Sequence, residues 1–203
     1  MKPRNLKSIA NFIYETGILS KTPRSGLWFL GTGNQSVAEH LLRTVYIGYC
    51  LAKLTPKADV DRVMFLCLIH DLGEGRVSDL NYAHQKYGRL AERQAIEDIG
   101  KSLPFGKEIR DAYTEEQAWQ TLEARIAKDA DNLEWMATLC EEAAKGNTKG
   151  KQWAKGAARR LKTSVAKRLG ALLLKTNPDD WWHDESDHWF INRNPKFRRW
   201  KGK

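Results

Sequence analysis

Apolar residues recur along this chain every three or four positions, segment after segment, and that period puts them on one face of an α-helix. Strict alternation bounded by turn residues, the mark of a half-buried strand, is scarce, so the predicted fold class is all-α. Ile9, Phe12, Ile13 and Thr16 space as one face of a first helix that Gly17 ends, before a loop holding Pro23, Gly26, Gly31 and Gly33. Ser36-Val37-Ala38-Glu39 reads as a capping box opening a second helix to about Leu54. Pro56 interrupts, and Val60, Val63, Met64, Cys67 and Leu68 mark a third helix ending near Asp71, because Gly73 and Gly75 continue helices poorly. A fourth is predicted over about Tyr87 to Ser102, and a short fifth between Pro104 and Trp119. A sixth covers about Leu122 to Ala144, with Gly146-Asn147 as its stop. Trp153, Ala157, Leu161, Val165, Leu169 and Leu172 share one face of a seventh.

With 203 residues the chain can bury one substantial core, so a single domain is expected. Its longest apolar runs, Met64 to Ile69 and Leu169 to Leu174, fall far short of the roughly 20 residues of a membrane span. Met1-Lys2-Pro3-Arg4-Asn5 leads into an amphipathic pattern rather than a signal-peptide core, so a cytoplasmic protein is expected. Cys50, Cys67 and Cys140 are an odd set without a Cys-x-x-Cys pair, and all three lie among apolar residues. They read as buried free thiols, against a disulfide scaffold or a thiolate zinc site.

The formal charge of +9 is local. From Lys145 to Lys175 there are ten Lys or Arg and no Asp or Glu, which leaves 24 basic against 25 acidic residues elsewhere. This segment reads either as a surface helix with solvated lysines or as a stripe that gathers phosphate-bearing partners. After Asn177-Pro178 the chain turns acidic and Trp-rich, then basic, and four of the eight Trp (181, 182, 189 and 200) lie in this tail. Disordered segments are usually poor in aromatics, so a docked or partly disordered tail, 176–203, is expected after a main domain over 1–175.

The residues that suggest chemistry are His40 within the second helix, His70-Asp71 at the end of the third, and Asp131 within the sixth. Imidazole and carboxylate together suit a borderline divalent cation and leave room for water, which such a cation acidifies. Singly, each has an ordinary reading: a His on an apolar helix face is usually a satisfied core residue, and an Asp a solvated acid. Their joint setting, with Glu74 three residues past Asp71, is what lifts them.

The strings Ser36-Val37-Ala38-Glu39-His40, Leu68-Ile69-His70-Asp71-Leu72-Gly73-Glu74 and Lys128-Asp129-Ala130-Asp131-Asn132-Leu133-Glu134 resemble the HD-domain phosphohydrolases, in particular their 5'-deoxynucleotidase-like branch. The resemblance runs from about Ile9 to Lys175. It implies a helical bundle of six to seven helices and one divalent metal ion (Co, Mn, Mg, Ni or Zn) held by His40, His70, Asp71 and Asp131. It also implies Glu74 as a catalytic acid, Asp79 as a second acid that assists proton transfer or holds the sugar, and Arg24 as a phosphate clamp. In the family's bacterial deoxynucleotidases a Trp that excludes a 2'-hydroxyl follows this Arg directly. Other members carry Pro-Arg-Thr-Gly-Trp, so Trp28 matches with a shift of one residue.

The implied activity is removal of phosphate from (deoxy)nucleoside 5'-monophosphates, with a small-molecule nucleotide as substrate and a homodimer as assembly. Two alternatives stay open: a nucleoside triphosphohydrolase, and a non-enzymatic nucleotide or nucleic-acid binding protein using 145–175. Nothing in the chain resembles a known nucleic-acid module, so nucleic acid is not the expected partner.

Overall fold

The computed structural model describes residues 3–184 and 186. Ten α-helical segments follow one another among them: α1 (Pro3–Thr16), α2 (Gly26–Leu30), α3 (Val37–Lys53), α4 (Val60–Ile69), α5 (Glu74–Val77), α6 (Glu92–Ser102), α7 (Gly106–Ala118), α8 (Leu122–Ala144), α9 (Thr148–Ala158) and α10 (Ser164–Leu173). Two single 3-10 turns, Gly17–Ser20 and His84–Lys86, stand between them. The described residues form no strand beyond an isolated antiparallel bridge of Pro23 with Ser36, so the all-α expectation holds.

The bundle is organised around α8, whose 23 residues give an axis of about 34 Å. It packs against α3, α4, α7, α9 and α10, and its Ile126, Leu133 and Met136 join Leu51, Val63 and Leu66 in a fully buried core. Helices α3 and α4 approach closely at Gly48, where a Cβ would lie 2.6 Å from the Cys67 sulfur. That approach brings together the two helices bearing His40 and His70. A smaller apolar cluster, Leu27 and Leu30 with Leu139 and Ala154, clamps α2 onto α8 and α9. The predicted capping box is formed: Ser36 Oγ accepts from Glu39 N at 3.2 Å, and the Glu39 carboxylate accepts from Ser36 N at 2.6 Å.

Several expectations need correction. Helices α2 and α5 occupy stretches whose glycines signal loop. The fourth predicted helix starts at Glu92 rather than near Tyr87, because Ala91 sits outside the helical region at φ −87°, ψ 44°. The seventh is two helices, and the break has a cause: the buried Asp129 carboxylate of α8 accepts from Lys162 N and Thr163 N at 2.7 Å each. Those amides are therefore taken from any continuous helix, and Thr163 Oγ1 starts α10 by accepting from Ala166 N at 3.3 Å. Ile13, expected on a buried face, is 65% exposed on α1. Of the three thiols, all free, only Cys67 is buried; Cys50 lies on the outward stripe of α3 with Leu42, Tyr46 and Tyr49. In the tail Trp181 is exposed and Trp182 donates to Asp179 Oδ1 at 3.0 Å. The rest of the tail expected to be docked or partly disordered, with Trp189 and Trp200, lies outside the described residues.

No helix among the described residues is long and apolar enough to cross a membrane. The ten basic side chains of 145–175 are exposed along α9, α10 and their flanks.

Candidate metal centre

His40 projects from the first turn of α3, His70 caps the C-terminus of α4 with Asp71 next to it, and Asp131 lies midway along α8. Their side chains converge. His40 Nε2 lies 3.2 Å from His70 Nε2, 3.5 Å from Asp71 Oδ2 and 3.4 Å from Asp131 Oδ1. His70 Nε2 lies 3.3 Å from Asp71 Oδ2 and 4.0 Å from Asp131 Oδ1. The ligand atoms of His40, His70 and Asp131 all fall within 4.8 Å of one another.

The other side of each ring is committed. His40 Nδ1 meets Glu134 Oε2 at 2.6 Å, and His70 Nδ1 meets the Cys67 carbonyl at 2.8 Å. A carboxylate and a carbonyl only accept, so both Nδ1 atoms donate and both Nε2 lone pairs of the neutral rings point at each other and at two carboxylate oxygens. Four electron-rich atoms facing inward repel unless a cation stands among them. The donor set therefore fits a divalent metal, in the mixed N/O chemistry that borderline cations accept. Without the ion, a proton serves: burial works to lower the His70 pKa, but Asp71 and Asp131 overcome it and push it up to about 9. Burial likewise opposes ionisation of Asp71 and Asp131. The cations around them prevail, holding both well below the usual carboxylate range.

Arg24 enters from the short segment that pairs with the chain before α3, its N donating to Gln35 O at 2.8 Å. Its Nη1 lies 3.0 Å from Asp71 Oδ2 and 4.0 Å from Glu74 Oε2. Burial would lower its pKa, but Asp71, Asp79, Glu74 and Asp131 raise it, so the guanidinium stays charged. Glu74, at the N-terminus of α5, is buried, and its Oε2 has no hydrogen-bond partner. Burial first, then Asp71, pushes its pKa up to about 10, which keeps it protonated at neutral pH. Asp79 is engaged otherwise: its Oδ2 accepts from Ser25 N at 2.6 Å and its carbonyl accepts from Ser25 Oγ at 3.0 Å, pinning the Arg24 segment. Trp28 is 60% exposed on α2, its ring edge-on to His84. The structure thus brings Arg24, His40, His70, Asp71, Glu74 and Asp131 together and sets Asp79 against the neighbouring backbone.

Sequence reasoning passed over a further group of charged side chains. Glu134 lies one turn from Asp131 on the same face of α8, and beyond His40 it accepts from Gln35 Nε2 at 2.7 Å and Arg43 Nε at 2.9 Å. Burial opposes its ionisation, yet the His40 bond and Arg43 hold its pKa near 2. Lys128 Nζ reaches Asp131 Oδ2 at 2.9 Å. Glu116 on α7 is buried with Oε1 unpartnered, and Glu92 on α6 accepts from Tyr113 OH at 3.3 Å. Burial raises both acids. The i, i+3 spacing of Asp131 and Glu134 was the one available signal.

Helices that carry His, His-Asp and Asp into one buried cluster define a class of helical metal-site proteins, and comparison with known proteins assigns the chain within it. A family model described as an HD domain matches residues 16–172, and the chain belongs to that family. It is 33% identical over 119 residues to the 5'-deoxynucleotidase HDDC2 of Dictyostelium discoideum, covering 53% of this chain and 62% of that protein. It is 30% identical over 144 residues to the 5'-deoxynucleotidase HDDC2 of Xenopus laevis, covering 66% and 69%. Among solved structures, a conserved hypothetical protein from Pyrococcus furiosus superposes with a TM-score of 0.70 at 29% identity, covering 82% of this chain and 97% of that one. The chain thus spans a little under two thirds of the Dictyostelium relative it matches.

Proposed function

We propose that this protein is a divalent-metal-dependent phosphohydrolase that removes phosphate from deoxynucleoside 5'-monophosphates. The observation that carries the reading is the approach of Arg24 to the edge of the four-ligand cluster, 3.0 Å from Asp71 Oδ2 and 4.0 Å from the buried Glu74 carboxyl. The names of the two relatives support the substrate class.

His40, His70, Asp71 and Asp131 would hold the metal, which supplies Lewis acidity toward a phosphoryl oxygen and acidifies water. Arg24 binds the remaining phosphate charge; its planar fork suits two oxygens at once. Glu74 carries a proton that it can give to the leaving 5'-oxygen, and returns to the acid form by taking one from solvent. Asp79 positions Arg24 through Ser25, and as the second acid it would assist proton transfer or hold the sugar. Trp28 stands four residues beyond Arg24 as the wall near C2' of the sugar. This is catalysis by positioning and charge stabilisation.

A triphosphohydrolase would need further cations around the site. Here Asp79, Glu92 and Glu116 surround it, with Lys128 already paired to Asp131, which favours the monophosphate. Exposed Leu42, Tyr46 and Tyr49 on α3 support a homodimer through that face, and three free thiols suit the reducing cytoplasm. The experiment is a screen of nucleoside mono-, di- and triphosphates for phosphate release, with each divalent metal restored after stripping. Asp71→Ala should abolish tightly bound metal and turnover while keeping helical content. If the chain instead only binds polyanions through 145–175, binding should survive chelation and fall steeply with salt.

A further inference from the structure

The order of groups along one wall of the site extends the proposed function, on which this inference rests. In the proposed function Arg24 takes the phosphate and Trp28 faces the sugar, and the ring that abuts Trp28 is His84. Its centroid lies 6.5 Å from that of Trp28 at 72° between planes, and 6.4 Å from that of Phe29. In a nucleotide the base hangs from C1', the direct neighbour of C2'. A substrate with its phosphate on Arg24 and C2' against Trp28 therefore carries its base toward the ring that abuts Trp28.

That ring is held in place rather than loose. The segment bearing it is tied to the Arg24 segment by the two Ser25–Asp79 hydrogen bonds. Buried Asn81 accepts from Ala83 N at 3.1 Å and His84 N at 3.0 Å, and its Nδ2 donates to His84 Nδ1 at 3.0 Å. An amide NH2 only donates, so the imidazole proton sits on Nε2, a donor directed away from Asn81. Tyr82, 72% exposed, adds a second ring two residues earlier, with Lys86 Nζ 4.9 Å from its centroid. Fixed, exposed rings of this kind are stacking platforms, and they tolerate any base because every base has a π face.

We infer that His84, set against Trp28 and Phe29, is the base-docking wall of the site. It recognises a nucleobase as a class by stacking, without selecting among bases, and so makes nucleotides better substrates than plain sugar phosphates.

The test compares kcat/KM for dAMP with that for 2-deoxyribose 5-phosphate, which has the phosphate and sugar but no base, in wild type, His84→Ala and His84→Phe. Losing one base-stacking contact costs about 5- to 160-fold, so His84→Ala should lower the ratio of the two efficiencies by that factor, chiefly through KM for dAMP. His84→Phe keeps a flat ring and should restore most of the ratio. A ratio that His84→Ala leaves unchanged, or that His84→Phe fails to restore, overturns the wall. If wild type releases phosphate from neither compound, the proposed hydrolysis fails instead. Calorimetric binding of the same two compounds to the same three proteins then decides the wall by the same ratio.

Discussion

Glu134→Gln exchanges one carboxylate oxygen for an NH2 group without changing the size of the side chain, and its effect should reach the metal. Four donors converge on Glu134 Oε1: Gln35 Nε2 at 2.7 Å, Arg43 Nη2 at 2.8 Å, Arg43 Nε at 2.9 Å and Thr138 Oγ1 at 3.2 Å. The amide oxygen of the variant must take that position, since an NH2 there would face only donors. The NH2 then points at His40 Nδ1, which has to become an acceptor. The ring proton moves to Nε2, the atom 3.4 Å from Asp131 Oδ1, and the lone pair a cation would use is gone. Removing the outer partner of a metal-ligating His generally costs about 10–100-fold in affinity. With the tautomer reversed as well, the upper end applies, about 100-fold or about 2.7 kcal/mol. Competition against a chelator of known affinity, for each metal that supports turnover, measures this directly, and far-ultraviolet circular dichroism should show the helices intact. A Gln variant that holds metal within about threefold of wild type would refute the argument that Glu134 sets the His40 tautomer.

Three further outcomes are expected. Glu74→Gln keeps the shape but cannot exchange a proton, so kcat should fall by about 10²-fold or more with metal content unchanged; near-normal turnover removes Glu74 from the reaction. Arg24→Ala should depress every nucleotide alike, whereas Trp28→Ala should narrow the deoxy-to-ribo ratio by up to about 10–200-fold by admitting the ribonucleotide, as steady-state kinetics on dAMP and AMP would show. Asp129→Ala removes the buried carboxylate that accepts from the amides of Lys162 and Thr163 and should cost about 2–4 kcal/mol in urea unfolding; a loss under about 1 kcal/mol would mean that α10 is held by its apolar contacts alone.

The parts of the molecule that the sequence announced are those whose causes are local. The Ser36-Glu39 box sits within four residues, and Leu122 to Ala144 has a capping Thr121 before it and Gly146 after it, so the predicted and observed bounds of α8 agree. The break between α9 and α10 was hidden because its cause, Asp129, lies 33 residues upstream of Lys162. Glu134 was hidden likewise: its partner His40 is 94 positions away, and a Glu on a helix looks the same whether it faces solvent or an imidazole. His40, His70, Asp71 and Asp131 were suggested by their ligand chemistry and, with Glu74, by their joint setting, but only the resemblance joined them into one ligand set and gave Glu74 and Arg24 their roles, since each alone is commonplace. The backbone tie of Asp79 to Ser25 depends on two loops meeting, which no spacing rule encodes.

Asp129 and Asp131 stand two residues apart on α8, about 200° around its axis, so one carboxylate faces the α10 junction and the other the ligand cluster. A single inserted or deleted residue between them would turn one face by about 100° against the other, and no rotation of the helix could satisfy both. Chain-length variation must therefore be absorbed elsewhere, in connections such as 55–58 or 145–147. In relatives of different length, the stretch from Asp129 to Glu134 is where the chains should superpose without a gap, and it gives their numbering a common origin.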